Sequence, residues 1–130
     1  MKTLLSILFL FFATYGYSQS EKLFTVDREL SNSNINQIYQ AKDGVIWIAT
    51  DDGLNRYDGA KFSIYKHKEG NDSSLLDNNV RTLFEDSKGH FLVGTQRGLQ
   101  LYNPATDLFK EIPIFYQTGE NMSAHISTIL

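Results

Sequence analysis

The sequence predicts an all-β chain built from repeated four-stranded sheets, and three observations carry that reading. The stretch DGVIWIATDDGLNRYDG at residues 43–59 returns as KGHFLVGTQRGLQLYNP at residues 88–104. Short runs rich in β-branched and aromatic residues alternate with Asp-Gly and Arg-Gly turns, the pattern of successive hairpins. No segment of the repeated region holds apolar residues at a 3.6-residue period for long enough to make a helix. A copy of about 45 residues with four strands has the dimensions of a β-propeller blade. The predicted fold is therefore an incomplete β-propeller, with about two four-stranded blades and the first strand of a third, preceded by a signal-peptide helix.

Taken in order, residues 1–18 read as a secretory signal peptide. Lys2 precedes an apolar run at residues 4–13, and Gly16 and Ser18 are the small residues flanking Tyr17 before the expected cleavage point. The run is about half the roughly twenty residues a membrane-spanning helix needs. No Cys follows it to accept a lipid. Residues 19–34 form a lead-in, in which residues 23–26 are a candidate strand that joins the last blade and closes the ring. The first blade with its connecting loop covers residues 35–75, with strands expected at 35–40, 45–49, 54–57 and 62–65. The second covers residues 76–124, with strands at 80–85, 91–94, 99–102 and 108–112. Residues 125–130 begin a third copy, Ile126 matching Val80 and Ile129 matching Leu83. The polar segment at 67–79 is expected to connect the blades and to project from one face of the disc, where loops more often carry function than strands do.

The residues shared by the two copies have structural readings. Gly44 and Gly89 sit at hairpin tips, where backbone freedom accounts for them. Thr50 and Thr95 precede the next turns, where a hydroxyl bonds local backbone. Gly53 and Gly98 complete those turns, and Gly94 follows the apolar strand of the second copy. Leu54 and Leu99 are expected core anchors, and Tyr57 and Tyr102 outer packing residues. Trp47, the single tryptophan, is expected between blades more than against a ligand.

The residues offer little chemistry. The net charge is −3, with no basic cluster, so nothing in this region favours nucleic acid as a partner, since phosphate binding needs clustered Lys and Arg. Cysteine is absent, which excludes disulfides and thiolate metal sites. Asp51, Asp52 and Asp58 lack the alternating oxygen spacing of a calcium loop and become Gln96, Arg97 and Asn103 in the second copy. His67, His90 and His125 are scattered, away from metal-ligand spacing. No nucleophile elbow or phosphate loop is written, so no catalytic, metal or cofactor-binding residue is assigned. Residues 71–73 and 121–123 match the glycosylation sequon.

The stretch NINQIYQAKDGVIWIATDDGLNRYDGAKFSIY resembles the two-component regulator propeller repeat, through Asp43-Gly44, Trp47-Ile48-Ala49-Thr50, Gly53-Leu54-Asn55 and Tyr57-Asp58-Gly59. The first copy has Ala49 where Gly is usual. The second restores Gly94 but has Leu92 for Trp and Asn103-Pro104 for Asp-Gly. The resemblance implies the N-terminal part of the periplasmic sensor region of a hybrid histidine kinase, dimeric in the full receptor and joined to the inner membrane through a downstream helix. An oligosaccharide or another periplasmic ligand is the implied cue. Propellers close with about four to eight blades, so the chain is expected to be a fragment of a longer protein. Two other classes stay open: a secreted propeller enzyme such as a lyase or hydrolase, and a non-catalytic secreted interaction propeller.

Overall fold

The computed structural model describes residue 23 and residues 29–114. The expected signal peptide, the ring-closing strand beyond Leu23 and the third copy lie outside the described residues. Eight strands follow in chain order: β1 (Ile35–Gln40), β2 (Ile46–Thr50), β3 (Gly53–Tyr57), β4 (Phe62–Tyr65), β5 (Val80–Glu85), β6 (Phe91–Thr95), β7 (Gly98–Asn103) and β8 (Leu108–Ile112). They make two antiparallel sheets of four, β1-β2-β3-β4 and β5-β6-β7-β8. Each is a propeller blade. Every strand boundary lies within one residue of its expected place, the main difference being that Thr50 and Gly53, like Thr95 and Gly98, pair as a last rung across a two-residue turn.

The two blades share even their irregularities. The pairing of β1 with β2 slips after Ile35, and that of β5 with β6 slips after Val80, the same repeat position. Gly53 has a φ of +126°, and a methyl group there would sit 2.9 Å from the Tyr65 carbonyl oxygen. Only glycine fits that approach without a shift.

Because side chains alternate across a strand, each blade has two sides of different composition. Tyr39, Trp47, Ala49, Leu54 and Tyr65 share one side of blade 1, and Leu83, Phe91, Val93, Tyr102 and Phe109 share the opposite kind of side on blade 2. These two surfaces meet to form the core, with Leu75 of the connection inserted. Trp47 stacks on Phe91 at 4.6 Å between ring centroids and meets Tyr102 edge-on at 4.9 Å. Such ring pairs add about 0.5–1.5 kcal/mol each beyond the area they bury.

Burial differs at matched positions for the same reason. Leu83 is 2% exposed between the blades, whereas its counterpart Ile38, on the side of blade 1 away from blade 2, is 60% exposed. Leu54 is completely buried, but Leu99 is only half-buried. The side of blade 2 that Leu99 occupies has no sheet packed on it among the described residues, whereas Leu54 faces blade 2.

Polar contacts lock the seam toward both the inner and the outer strands of the blades. Along the innermost strands, the Gln37 carboxamide accepts from the Leu83 N–H at 2.7 Å and donates to the Leu83 carbonyl at 3.2 Å. Toward the outer strands, the hydroxyls of Tyr65 and Tyr102 both donate to Oδ1 of Asp107, at 2.6 and 2.7 Å. Burial and the Asp107 carboxylate push both phenols above their usual range. Asp107 itself is opposed by partial desolvation, yet the two hydroxyls hold it below the ordinary carboxylate value.

Two outcomes follow for the folded chain. Leu83→Ala should cost about 2–5 kcal/mol in urea unfolding, while Ile38→Ala at the matched position should stay within about 0.5 kcal/mol; equal costs would contradict the one-sided seam. Asp107 has a folded pKa below its unfolded one, so its contribution is present above the unfolded value and is lost as pH falls through the folded value. Asp107→Asn should therefore flatten the acid side of the stability curve below about pH 4, by about 1 kcal/mol or less for so exposed a group, as read from urea midpoints across pH.

Candidate functional site

The turns between β2 and β3 and between β6 and β7 lie at one end of the blades, and the connection at residues 66–79 arrives at the same end. Asn78 O accepts from Gly53 N at 2.6 Å, and Asn79 O accepts from Gln96 N at 3.0 Å. Thr50 Oγ1 donates to the Gly53 carbonyl at 2.8 Å, and Thr95 Oγ1 to that of Gly98 at 3.1 Å. These bonds fix the tips of the turns relative to the connection. Gly44 and Gly89 lie at the opposite end, both with positive φ. Gly94 is buried in β6, and the Tyr57 hydroxyl donates to the Gly59 carbonyl at 2.6 Å.

Two buried amides that the sequence reading left without a role anchor this end. Asn55 accepts from Ser31 N at 2.8 Å and donates to Ser31 Oγ and the Ile48 carbonyl. Its counterpart Gln100 accepts from Leu76 N and donates to the Ser74 carbonyl, each at 2.9 Å. Both are completely buried. Ser31 and Leu76 occupy the same repeat position, so each amide fastens the segment entering its own blade. A polar residue recurring inside an apolar strand, in GLN and GLQ, was the available signal, since buried amides need partners.

The candidate ligand-facing surface is the rim at the start of β1 and β5. Asn36 donates to Oδ1 of Asp51 at 3.0 Å and to the Val80 carbonyl at 2.8 Å, and Asn34 donates to Oδ2 of Asp51 at 3.2 Å. The Asn36 bond, then the Asn34 bond, with the charge of Arg81 behind them, holds the Asp51 carboxyl below its usual value. The rim thus presents a fixed anion, carboxamides and a guanidinium. Asn34, Asn36 and Arg81 went unmarked in the sequence, because only the register of β1 on β2 and the placing of β5 beside β1 bring them to Asp51.

The remaining acids are engaged in turns. Asp52 pairs with Lys66, and Asp58 accepts from the backbone N–H groups of Lys61 and Ala60, which lower its pKa. At the far end, Asp86 is held down to about 2 by the backbone and then the ring of His90. Among the described residues no group of three or more His, Asp or Glu is placed to hold a metal ion. Trp47 is 3% exposed and so lies within the seam. A small cleft of about 110 Å³ opens beside Tyr65, Lys68, Asn71 and Asp107 at the outer edge. What the rim can do chemically is exchange hydrogen bonds with a polar ligand.

The repeat described as two component regulator propeller matches residues 29–52 and 74–97, the entering segment through β2 of one blade and the equivalent part of the next. Histidine kinase P4 of Formosa agariphila is 38% identical over 73 residues, covering 53% of this chain and 5% of that protein. The extracellular domain of a hybrid two component system of B. thetaiotaomicron superposes with a TM-score of 0.62 at 29% identity, over 82% of this chain and 14% of that one. The extracellular domain of a one component system of the same organism has the same fold, with a TM-score of 0.64 at 21% identity over 88% of this chain and 14% of that one. The chain therefore spans a small part of each relative. Its two sheets each carry one copy of the matched two component regulator propeller repeat, in the same register.

Proposed function

We propose that these blades form the N-terminal part of an extracytoplasmic sensor propeller in a hybrid two-component receptor. The observation that supports this most directly is the coincidence of the repeat with the blade: both matched segments end on the Thr50 and Thr95 turns that shape the rim. The likeness to an extracellular domain of a hybrid system supports an extracytoplasmic location. In this reading later blades complete the ring, a helix beyond them enters the inner membrane, and a histidine kinase lies on the cytoplasmic side. The receptor is a homodimer whose two states a ligand biases by binding one more tightly.

The cue in this reading is carbohydrate-related, an oligosaccharide meeting the rim. Hydroxyl-rich ligands need paired donors and acceptors held in place, and the Asn36–Asp51–Asn34 arrangement supplies both. With the complete ectodomain, titration calorimetry against a panel of neutral and acidic oligosaccharides should find a binder. Asp51→Asn should weaken it roughly tenfold while the melting temperature stays within about 2 °C. No binder in the panel would overturn the carbohydrate reading, and an unchanged affinity in Asp51→Asn would move the site off this rim.

A further inference from the structure

The side of blade 1 that carries Ile38 has the same repeat positions as the side of blade 2 that carries Leu83, and the latter shows how such a surface is used. Blade 2 offers the Leu83 N–H and C=O at the free edge of its innermost strand, and the Gln37 carboxamide takes both. The register of β1 on β2 repeats that of β5 on β6, with Ile38 opposite Ile48 as Leu83 is opposite Val93. The Ile38 N–H and C=O therefore point to the same free edge. No side chain among the described residues reaches them, and Ile38 and Ile64 on this side are 60% and 48% exposed.

Resting on the reading that further blades complete this propeller, we infer that the Ile38 side is the docking surface for the closing blade. We infer further that this blade carries Gln or Asn at the repeat position of Gln37. That carboxamide clamps the Ile38 N–H and C=O, as Gln37 clamps those of Leu83. A second copy of these two blades fits less well, because blade 2 has Thr82 at the clamping position. One short hydroxyl does not span an N–H and a C=O of the same residue as an amide does.

The rest of the surface narrows the partner. Blade 2 meets blade 1 with acids: Glu85 accepts from Lys42 N at 2.9 Å, and Asp107 takes the Tyr65 hydroxyl. Blade 1 has Gln40 at the place of Glu85, and its β3–β4 hairpin, two residues shorter between the paired Tyr57 and Phe62 than the β7–β8 hairpin between Tyr102 and Phe109, has no counterpart of Asp107. The closing blade thus meets an uncharged surface on which Ile38, Ile46 and Ile64 stand beside the stacked Tyr57 and Phe62 rings. It needs the amide clamp and an apolar side chain at the Trp47 position, without a hydroxyl aimed at a carboxylate. The difference keeps blade 2 and blade 1 from exchanging partners.

Amide hydrogen exchange on the complete ectodomain tests this. The Ile38 amide should be protected as strongly as that of Leu83, and replacing the closing blade's carboxamide with Leu should speed Ile38 exchange by about tenfold or more while Leu83 is unaffected. Gln37→Leu should do the converse. If the Leu variant fails to fold, a Glu variant, which keeps an acceptor for the N–H, should retain protection at Ile38. An apolar residue at the clamping position, rapid exchange at Ile38, or protection that rises with protein concentration would overturn the inference, the last in favour of a second copy. The readout is independent of ligand, so an ectodomain that shows the clamp yet binds no cue would contradict only the sensor reading.

Discussion

The packing of Trp47 against Phe91, face to face, and Tyr102, edge-on, is the contact on which the rest of this structure depends. An antiparallel four-stranded sheet has two sides, and neither blade can remove both from water alone. The seam solves half of that problem for each blade, leaving one side of blade 1 and one of blade 2 without a partner sheet among the described residues. This is the nearest-neighbour logic of repeat architectures, in which each unit is stabilised by the next. Aromatic rings suit the position because they bury a large area with few rotamers to fix.

Polar groups give the seam its register. The Gln37 carboxamide ties two innermost strands at one residue, and Asp107 ties two tyrosines toward the outside. Apolar surfaces slide at little cost, whereas a displaced amide or carboxylate leaves buried or half-buried groups unpaired. The rim inherits its geometry from the same constraint. Asn36 bonds both Asp51 and the Val80 carbonyl of the next blade, so any change in the angle between the blades is felt at the Asp51 carboxylate. In the proposed sensor, that coupling is the physical route from ligand to scaffold.

The strands, their turns and the blade count were legible in the sequence, because Gly at turn tips and alternating apolar residues are local signals. The seam was legible only in part. Trp47 could be assigned to packing by its size and neighbours, but Leu99 could not be told from Leu54, since their burial depends on which side a neighbouring sheet occupies. Gln37, Asn36 and Asp107 carried no signal at all: each acts on a residue more than forty positions away or on a turn whose left-handed residue, Asp107 at φ 58°, is not glycine. Asn55 and Gln100 were visible as polar residues in apolar strands, yet their targets were set by the path of the entering segment.

The claim underlying this account is that each blade has two unlike sides, which mate in one order around a ring. The most direct test is an experimental structure of the complete ectodomain, by crystallography or electron cryo-microscopy. The account predicts a closed ring in which Ile38 and Leu99 are as buried as Leu83 and Leu54, each against a blade presenting the side opposite in kind to its own. A structure that leaves either residue facing solvent, or that mates two like sides, would contradict it.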